Sequence, residues 1–339
     1  MTQAPAAPLT STDAPIALVL SADEAFGMAM GVTLHSALYT LRTERAVEVY
    51  VLDGGLEATT RTRVRRIAEG QGATITFVPL DPELYTDARL RVEERFSPST
   101  FARIHMDRIL PDRIPRAVYL DSDIVVEQDL SRLWSIPFED NVLLAVQDQF
   151  IPYVSARYGV KRWQALGLPP DAPFFNSGML VVNLPRYRQE HIGDQIFQYL
   201  LDHGDKLNLC GDQEGFNAVL AGRWKPLDLR WNVLHVTYDP ARCRAVEREE
   251  GFPVPHERLT QDPYIIHFTD DSKPWDPECM HPARDRFLWH LRRSGYFSPA
   301  EYAVWRTAYG TRHFVEWARH ASRPLRHTIG LRKRSPTSG

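Results

Sequence analysis

The fold prediction is built on one segment, Val118-Tyr119-Leu120-Asp121-Ser122-Asp123. Residues 117–120 are predicted to form a short buried strand, and two aspartates follow at its carboxyl end. Ligands of open α/β sheets bind beyond the carboxyl ends of the strands, so the carboxylates lie where a site is expected. In an extended chain both side chains would point the same way and repel, and a divalent cation would remove that repulsion. Taken alone, the pattern leaves open that Asp121 caps a turn and Asp123 faces solvent.

Strand and helix patterns alternate on both sides of this segment. Strands are predicted at residues 16–20, 47–52, 74–78, 142–146 and 264–268, with a shorter extended piece at 124–126. Helices are predicted at residues 28–41, 57–69, 99–110 with Ser99 as N-cap, and 212–221, with a helical turn at 130–136. This rhythm predicts an α/β fold, a mostly parallel sheet covered by helices.

The chain is predicted to contain one α/β domain, because no linker divides it. With 43% apolar and 24% charged residues, it has the composition of a globular protein. Residues 1–14 are read as a disordered leader, since they carry neither the charge nor the apolar run of a signal peptide. The domain is assigned to residues 15–280, and residues 281–339 to a helical C-terminal region with a basic tail.

Charge and cysteine content narrow the possible partners and location. Cys210, Cys243 and Cys279 are widely separated, which argues against a disulfide framework or zinc knuckle and fits a cytoplasmic location. Residues 312–334 hold seven Lys or Arg against one Glu. This tail either rests on an anionic membrane at its inner face or forms a solvated terminal helix. The acidic remainder argues against nucleic-acid binding.

Two later segments carry further polar residues. His267 ends a predicted strand, and Lys273 follows in a Lys-Pro-Trp loop, so an imidazole and an ammonium lie close in sequence. The imidazole can complete a metal site and the ammonium can neutralise a phosphate, although a core histidine is the commoner reading. Asp212 and Gln213 open a predicted helix, where an acid either stabilises the helix terminus or contacts a sugar.

Taken together, these pieces resemble the family 8 glycosyltransferases, which include glycogenin and bacterial lipooligosaccharide galactosyl- and glucosyltransferases. The resemblance covers about residues 16 to 280. It rests on five blocks in the family's order: IALVLSADEAF, STFARIHMDRILP, VYLDSDIVV with DLSRLW, FFNSGMLVVNL with DQEGFN, and HFTDDSKPW. Each block is modest, but five in sequence are highly specific.

The resemblance implies a GT-A fold with a single Rossmann-like nucleotide-sugar domain, a UDP-sugar donor, Mn²⁺ or Mg²⁺, and a retaining outcome. It implies that the metal ligands are Asp121, Asp123 and His267. The implied donor-binding residues are Ala22, Asp23, Phe26, Arg103, Asp121, Ser122, Asp123, Asn176 and Lys273. Among these, Asp23 and Phe26 would hold the uridine and Lys273 the diphosphate. Asp212 and Gln213 are assigned to the sugar and to catalysis.

Retention can arise by double displacement or by attack on the same face from which UDP leaves. Gln213 is a poor nucleophile and Asp212 a possible one, so same-face attack is favoured. Residues 89–97 and 147–173, including Phe150 and Tyr153, are predicted to shape the acceptor side. The acceptor itself, whether a glycan, a lipid-linked saccharide, a peptide or a small molecule, is left open.

Two other functions compete with this interpretation. The Asp-Ser-Asp-Ile-Val run also matches the first motif of haloacid-dehalogenase-type phosphatases, in which Asp121 would be the nucleophile. That motif normally ends the first strand of its fold, whereas three strand–helix units precede it in this chain. The second alternative is a nucleotide-sugar-binding module without catalytic activity, against which the complete set of predicted metal ligands argues.

Overall fold

The computed structural model describes residues 14–81, 98–203 and 211–321. The strands are β1 Ile16–Ala22, β2 Val47–Asp53, β3 Thr74–Pro79, β4 Arg116–Leu120, β5 Ile124–Val126, β6 Leu143–Gln147, β7 Phe175–Asn183, β8 Trp224–Pro226, β9 Val233–Leu234 and β10 Ile265–His267. The helices are α1 Gly27–Thr40, α2 Ala58–Gly70, α3 Met106–Ile109, α4 Ser131–Trp134, α5 Leu184–Gln189, α6 Ile192–His203, α7 Asp212–Leu220, α8 Pro240–Glu250, α9 His256–Gln261, α10 Arg284–Arg293 and α11 Pro299–Ala321. Short 3-10 turns occupy Glu24–Phe26, Pro98–His105, Leu229–Asn232 and His235–Tyr238.

Within the described ranges, the main sheet has seven strands in the order β3-β2-β1-β4-β7-β6-β8. Its pairs are parallel except where β7 runs antiparallel to both β4 and β6. The mostly parallel α/β sheet predicted from the sequence is therefore confirmed, with β7 as the reversed strand. A smaller sheet has the order β5-β10-β9.

Both faces of the main sheet are buried, which explains the unbroken apolar run of β1. Ile16, Leu18 and Leu20 belong to the core cluster shared with α1 and α2, while Ala17 and Val19 face a second cluster on the opposite side. This division follows the two-residue period of a strand. The C-terminal helices α10 and α11 contribute to the first of these clusters. The region predicted as an appendage therefore shares the core of the main domain.

The order of strands places a cleft at the carboxyl ends of β1 and β4. The chain runs outward from β1 through β2 to β3 and then returns to β4 on the other side of β1. This reversal is the topological switch point at which α/β sheets bind ligands. In the smaller sheet, His267 pairs with Ile124, so β10 is registered directly beside the acidic segment.

The segment predicted as an α-helix over residues 99–110 is instead a 3-10 helix, Pro98–His105, followed by the single turn α3. The expected cap at Ser99 is wrong, because the element begins one residue earlier. Residues 101–106 are all buried. Short 3-10 pieces are typical of such buried connectors.

The predictions about cysteines, membrane-spanning segments and the basic tail concern parts of the chain away from the sheet. Cys243 and Cys279 are buried free thiols, and Cys210 lies outside the described residues. No helix in the described part of the chain combines the length and apolar character needed to cross a bilayer. Most of the basic tail, from residue 322 onward, lies outside the described residues.

Thr33 of α1 holds the acidic turn in place from below. Its buried hydroxyl lies 3.0 Å from the Ser122 carbonyl and 2.8 Å from the Ile124 carbonyl, and it accepts a hydrogen bond from the Ile124 amide at 3.2 Å. Valine at this position would keep the volume but leave these backbone groups buried without a partner. An unsatisfied buried group costs about 1–3 kcal/mol.

We therefore expect Thr33→Val to lower the free energy of unfolding by about 1–3 kcal/mol, measured by denaturant titration. Thr62→Val is the matched control, because the Thr62 hydroxyl is exposed on α2 and bonds only the Ala58 carbonyl. The control should change stability by less than about 0.5 kcal/mol. Equal effects of the two substitutions would contradict the structural role of Thr33.

Candidate functional site

The two aspartates lie in the turn between β4 and β5, not in an extended strand as the sequence argument assumed. The turn forms because the Thr33 hydroxyl and the β1 backbone hold it, with the Ser122 hydroxyl donating to the Ser21 carbonyl at 2.6 Å. The carboxylates converge nevertheless. His267 Nε2 lies 3.7 Å from Asp121 Oδ2 and 3.1 Å from Asp123 Oδ1.

These three side chains form a group with the composition of a cation site. One ligand atom from each of Asp121, Asp123 and His267 lies within 4.8 Å of the others. Two carboxylate oxygens and one imidazole nitrogen are a mixed oxygen and nitrogen donor set that suits Mn²⁺ or Mg²⁺. The backbone supports this group, because the Asp121 amide donates to the Gly178 carbonyl at 2.8 Å and continues the pairing of β4 with β7.

Arg103 neutralises carboxylates on one side of this group. Its guanidinium donates to both oxygens of Asp212, at 2.6 and 2.9 Å, and to Asp121 Oδ1 at 2.6 Å. The hydroxyl of Tyr119 also donates to Asp121 Oδ1, at 2.8 Å. Burial alone would lower the pKa of Arg103, but Asp121 and Asp212 outweigh it and hold that pKa well above its usual value. Arg103 is therefore a permanent cation beside the acidic turn.

Lys273 neutralises the other side. Its Nζ lies 2.8 Å from Asp123 Oδ2 and donates to the Phe268 carbonyl at 2.6 Å. Burial would raise the pKa of Asp123, but Lys273 and His267 reverse this and hold the pKa well below its usual range. Asp123 is thus an anion whose second oxygen already faces a cation.

The loop that carries Lys273 is fixed at both ends of its Pro-Trp pair. The Trp275 ring meets the Phe26 ring edge to face at 5.5 Å, and the Tyr309 hydroxyl of α11 donates to the Pro274 carbonyl at 3.1 Å. The C-terminal helices therefore support the loop, and Phe26, the predicted uridine-stacking residue, lies against it.

Asp148 is a functional candidate that the sequence reasoning missed. Its buried carboxylate accepts hydrogen bonds from the Phe150 and Ile151 amides, from Asn176 Nδ2 at 3.2 Å and from Gln213 Nε2 at 3.1 Å. Burial raises the pKa of Asp148 in spite of these donors. The rule that located Asp121 at the carboxyl end of a strand could also have located Asp148. Asp148 directly follows β6, and the carboxyl ends of β6 and β4 lie at the same edge of the sheet.

Asn232 is a second residue that was missed, and no pattern in the sequence marks it. It is fully buried at the end of the 3-10 turn before β9. Its side chain lies between His267 and Asn176, at 3.0 and 2.8 Å. Only the assembled fold brings these three residues together.

The cleft is a cavity of about 880 Å³ at the switch point of the sheet. Every residue predicted for the site lines it: Ala22, Asp23, Phe26, Arg103, Asp121, Ser122, Asp123, Asn176, Asp212, Gln213, His267 and Lys273. Asp23 also caps the first 3-10 turn, accepting from the Phe26 amide. One wall is formed by Phe150, which is 45% exposed.

The segments predicted to shape the acceptor side are only partly described. Residues 89–97 lie outside the described residues. In the second segment Phe150 faces the cavity, whereas Tyr153 forms a bridge with Pro173 and its ring meets the Phe252 ring at 6.2 Å. Tyr153 therefore contacts the backbone at Pro173 and the segment that follows α8.

Comparison with known proteins identifies the family of this chain. The sequence model for "Glycosyl transferase family 8" matches residues 17–279. General stress protein A of Bacillus subtilis is 27% identical over 293 residues, which are 86% of this chain and 94% of that protein. Glycosyltransferase GlyD of Streptococcus pneumoniae is 28% identical over 279 residues, which are 80% of this chain but 30% of that longer protein.

Solved structures show the same fold. The galactosyltransferase LgtC, in complex with donor and acceptor sugar analogs, superimposes with a TM-score of 0.68 at 24% identity, covering 86% of this chain and 100% of that one. The bifunctional glycosyltransferase WbbM gives a TM-score of 0.69 at 23% identity, covering 89% of this chain and 52% of that one. The fold is therefore of the GT-A type, and the chain belongs to glycosyl transferase family 8.

Proposed function

We propose that this chain transfers a hexose, glucose or galactose, from a UDP-sugar to a saccharide or lipid-linked acceptor with retention of configuration. The observation that carries the proposal is the convergence of Asp121, Asp123 and His267 in one cavity with the cations Arg103 and Lys273. Membership of the family contradicts the phosphatase alternative, in which Asp121 would be phosphorylated.

A divalent cation fits this group of side chains. Gly178 leaves the space open, because a Cβ there would meet His267 Cε1 at 2.2 Å and Asp121 Oδ2 at 2.7 Å. The donor set favours Mn²⁺, with Mg²⁺ as the alternative. When bound, the ion would stabilise negative charge on a departing diphosphate.

The chain's own cations complement that chemistry. Lys273 lies on the loop that closes the cavity and can exchange its contact with Asp123 for a phosphate oxygen. Arg103 keeps Asp212 and Asp121 compensated while the charge in the cavity changes. Phe26 and Trp275 supply aromatic surface for the uracil ring and restrict the access of water, and Asp23 is placed to address the edge of that ring.

The sugar would be oriented by the amide pair Asn176 and Gln213. Their side chains are bonded to each other and to Asp148, so both are held rigidly at the floor of the cavity. On the acceptor side we place Phe150, because its ring is exposed on the cavity wall. The proposed cytoplasmic location rests on the widely separated cysteines, and the proposed contact with the inner membrane face rests on the basic residues of the tail.

Same-face attack is supported by the state of Asp212. Both of its carboxylate oxygens are engaged by Arg103, and the residue is 2% exposed. A carboxylate held in this way is a weak nucleophile, since attack would break two charge-assisted hydrogen bonds. Gln213 has no ionised form to offer. We therefore assign Asp212 to the positioning of Arg103 and Gln213 to the sugar.

The first test is release of UDP from a panel of UDP-sugars, with Mn²⁺ and with EDTA. We expect slow hydrolysis of one donor that is lost with chelator and falls at least about 100-fold in Asp123→Ala, because a lost metal ligand removes several kcal/mol of charge stabilisation. Asp140→Ala, which removes an exposed acid outside the cavity, is the control. Hydrolysis that is indifferent to EDTA would refute metal dependence, and UDP binding without any turnover would favour the inactive binding module.

Gly178→Ala tests the fit of the cation. The added methyl would push His267 and Asp121 apart, so Mn²⁺ affinity should fall at least about 10-fold while the circular dichroism spectrum stays native. Gly70→Ala is the control, since nothing lies within 4 Å of a Cβ at that helical position. Unchanged Mn²⁺ binding in Gly178→Ala would mean that the ion does not bind between these side chains.

Mass spectrometry of the enzyme quenched during turnover tests the stereochemical route. We expect no hexosyl adduct on any peptide, because Asp212 is paired with Arg103 and no covalent intermediate should form. A peptide map that places a hexosyl group on Asp212 would establish double displacement instead.

A further inference from the structure

Asn232 lies between the candidate metal site and the candidate sugar site, and we propose that it is a positioning residue for both. It holds His267 with a proton on Nδ1, so that Nε2 is the ring nitrogen offered to the cation, and the same amide orients Asn176. The role of Asn232 in metal and sugar binding rests on the function proposed above. The hydrogen bonds from which it is inferred do not depend on which donor or acceptor the protein binds.

The direction of the hydrogen bonds is set by the backbone. The Gly178 amide can only donate, and it donates to Asn176 Oδ1 at 3.0 Å. That oxygen also contacts Asn232 at 2.8 Å, so the Asn232 atom facing it must be the donor Nδ2. The other end of the Asn232 amide, the acceptor Oδ1, therefore faces His267 Nδ1 at 3.0 Å. An acceptor requires a proton on its partner, which places that proton on Nδ1.

A second backbone amide gives the same orientation of Asn176 independently. The Ser177 amide donates to Gln213 Oε1 at 3.1 Å, which makes that oxygen an acceptor. Asn176 Nδ2 lies 3.0 Å from it and must be the donating end of the Asn176 side chain. Asn176 Oδ1 is then the end that points to Gly178 and Asn232, in agreement with the first argument.

Burial makes this arrangement strict. Asn232 is 0% and His267 3% exposed, so water cannot replace either partner. Without the Asn232 acceptor, the neutral ring would carry its proton on Nε2, because Asp123 Oδ1 lies 3.1 Å from that nitrogen and can accept the hydrogen bond. A proton there would block the atom that faces the cation. In metal-binding histidines, a hydrogen-bond acceptor at the ring nitrogen that faces away from the metal characteristically keeps the proton off the nitrogen that binds it.

The direct test is which ring nitrogen of His267 carries a proton in the metal-free protein, read from nitrogen–proton correlation spectra of histidine-labelled enzyme. We expect Nδ1 to carry a proton in the wild type. In Asn232→Leu, which keeps the volume but removes the acceptor, the proton should move to Nε2. Wild-type spectra with Nδ1 unprotonated would overturn the proposal.

Mn²⁺ binding, followed by the electron paramagnetic resonance signal of the free ion, is the second readout. Asn232→Leu should bind Mn²⁺ about 10- to 100-fold more weakly. Asn232→Asp should restore the Nδ1 proton, because a carboxylate oxygen still accepts from Nδ1, but it cannot donate to Asn176 Oδ1 and should recover only part of the affinity. Failure to restore the Nδ1 proton would reduce Asn232 to a structural residue.

Asn217→Leu controls for the loss of a buried amide. Asn217 is also fully buried and bonds the backbone of Phe175 and Gln213, without contact to His267. It should lower stability without moving the His267 proton or changing Mn²⁺ affinity, and equal effects in both leucine variants would refute a specific role for Asn232. The spectra need neither donor nor turnover. An inactive enzyme with the expected Nδ1 proton would therefore contradict the proposed function alone.

Discussion

Carboxylates are concentrated at one buried edge of the sheet, and they have to be compensated for the fold to form. Asp121, Asp123 and Asp212 lie within reach of one another around the acidic turn, where an unpaired buried charge would be strongly destabilising. Arg103 and Lys273 supply the opposite charge from two different parts of the chain. These ion pairs hold the 3-10 helix Pro98–His105, α7 and the Lys-Pro-Trp loop against the turn between β4 and β5.

The sheet was largely predictable because its inner strands are short, apolar and buried on both faces. β1, β2, β3 and β4 appear in the sequence as separate apolar runs, and the helices between them have clear periods. β8, β9 and the reversal of β7 were not predictable in this way. Strands of two or three residues carry no period, and an apolar run has the same appearance in a parallel and an antiparallel strand. Residues 98–105 were predicted to be helical, but the sequence does not distinguish a 3-10 helix from an α-helix, because the two windings differ little in period.

The residues of the candidate site also fall into two groups, those that a local sequence rule can find and those that it cannot. Asp121, Asp123 and His267 stand at strand ends, where a local rule finds them, and Asp148 could have been found by that rule at the end of β6. Asn232 could not, because its importance comes from neighbours 35 and 56 positions away along the chain. The turn that makes the two aspartates converge was also hidden from the sequence, since it depends on the Thr33 hydroxyl from α1.

The hydrogen bond from the Tyr309 hydroxyl to the Pro274 carbonyl shows that the candidate site is supported by residues beyond the family segment. The family segment ends at residue 279, yet the loop that bears Lys273 is supported by Tyr309 of α11, which lies beyond that boundary. Phe287, Leu291, Tyr296 and Tyr309 also fill the same core as α1 and β1. A fragment cut at the family boundary would expose that apolar face and leave the loop without its support. We therefore expect the smallest fragment that folds on its own to be longer than the family segment and to extend at least through Tyr309.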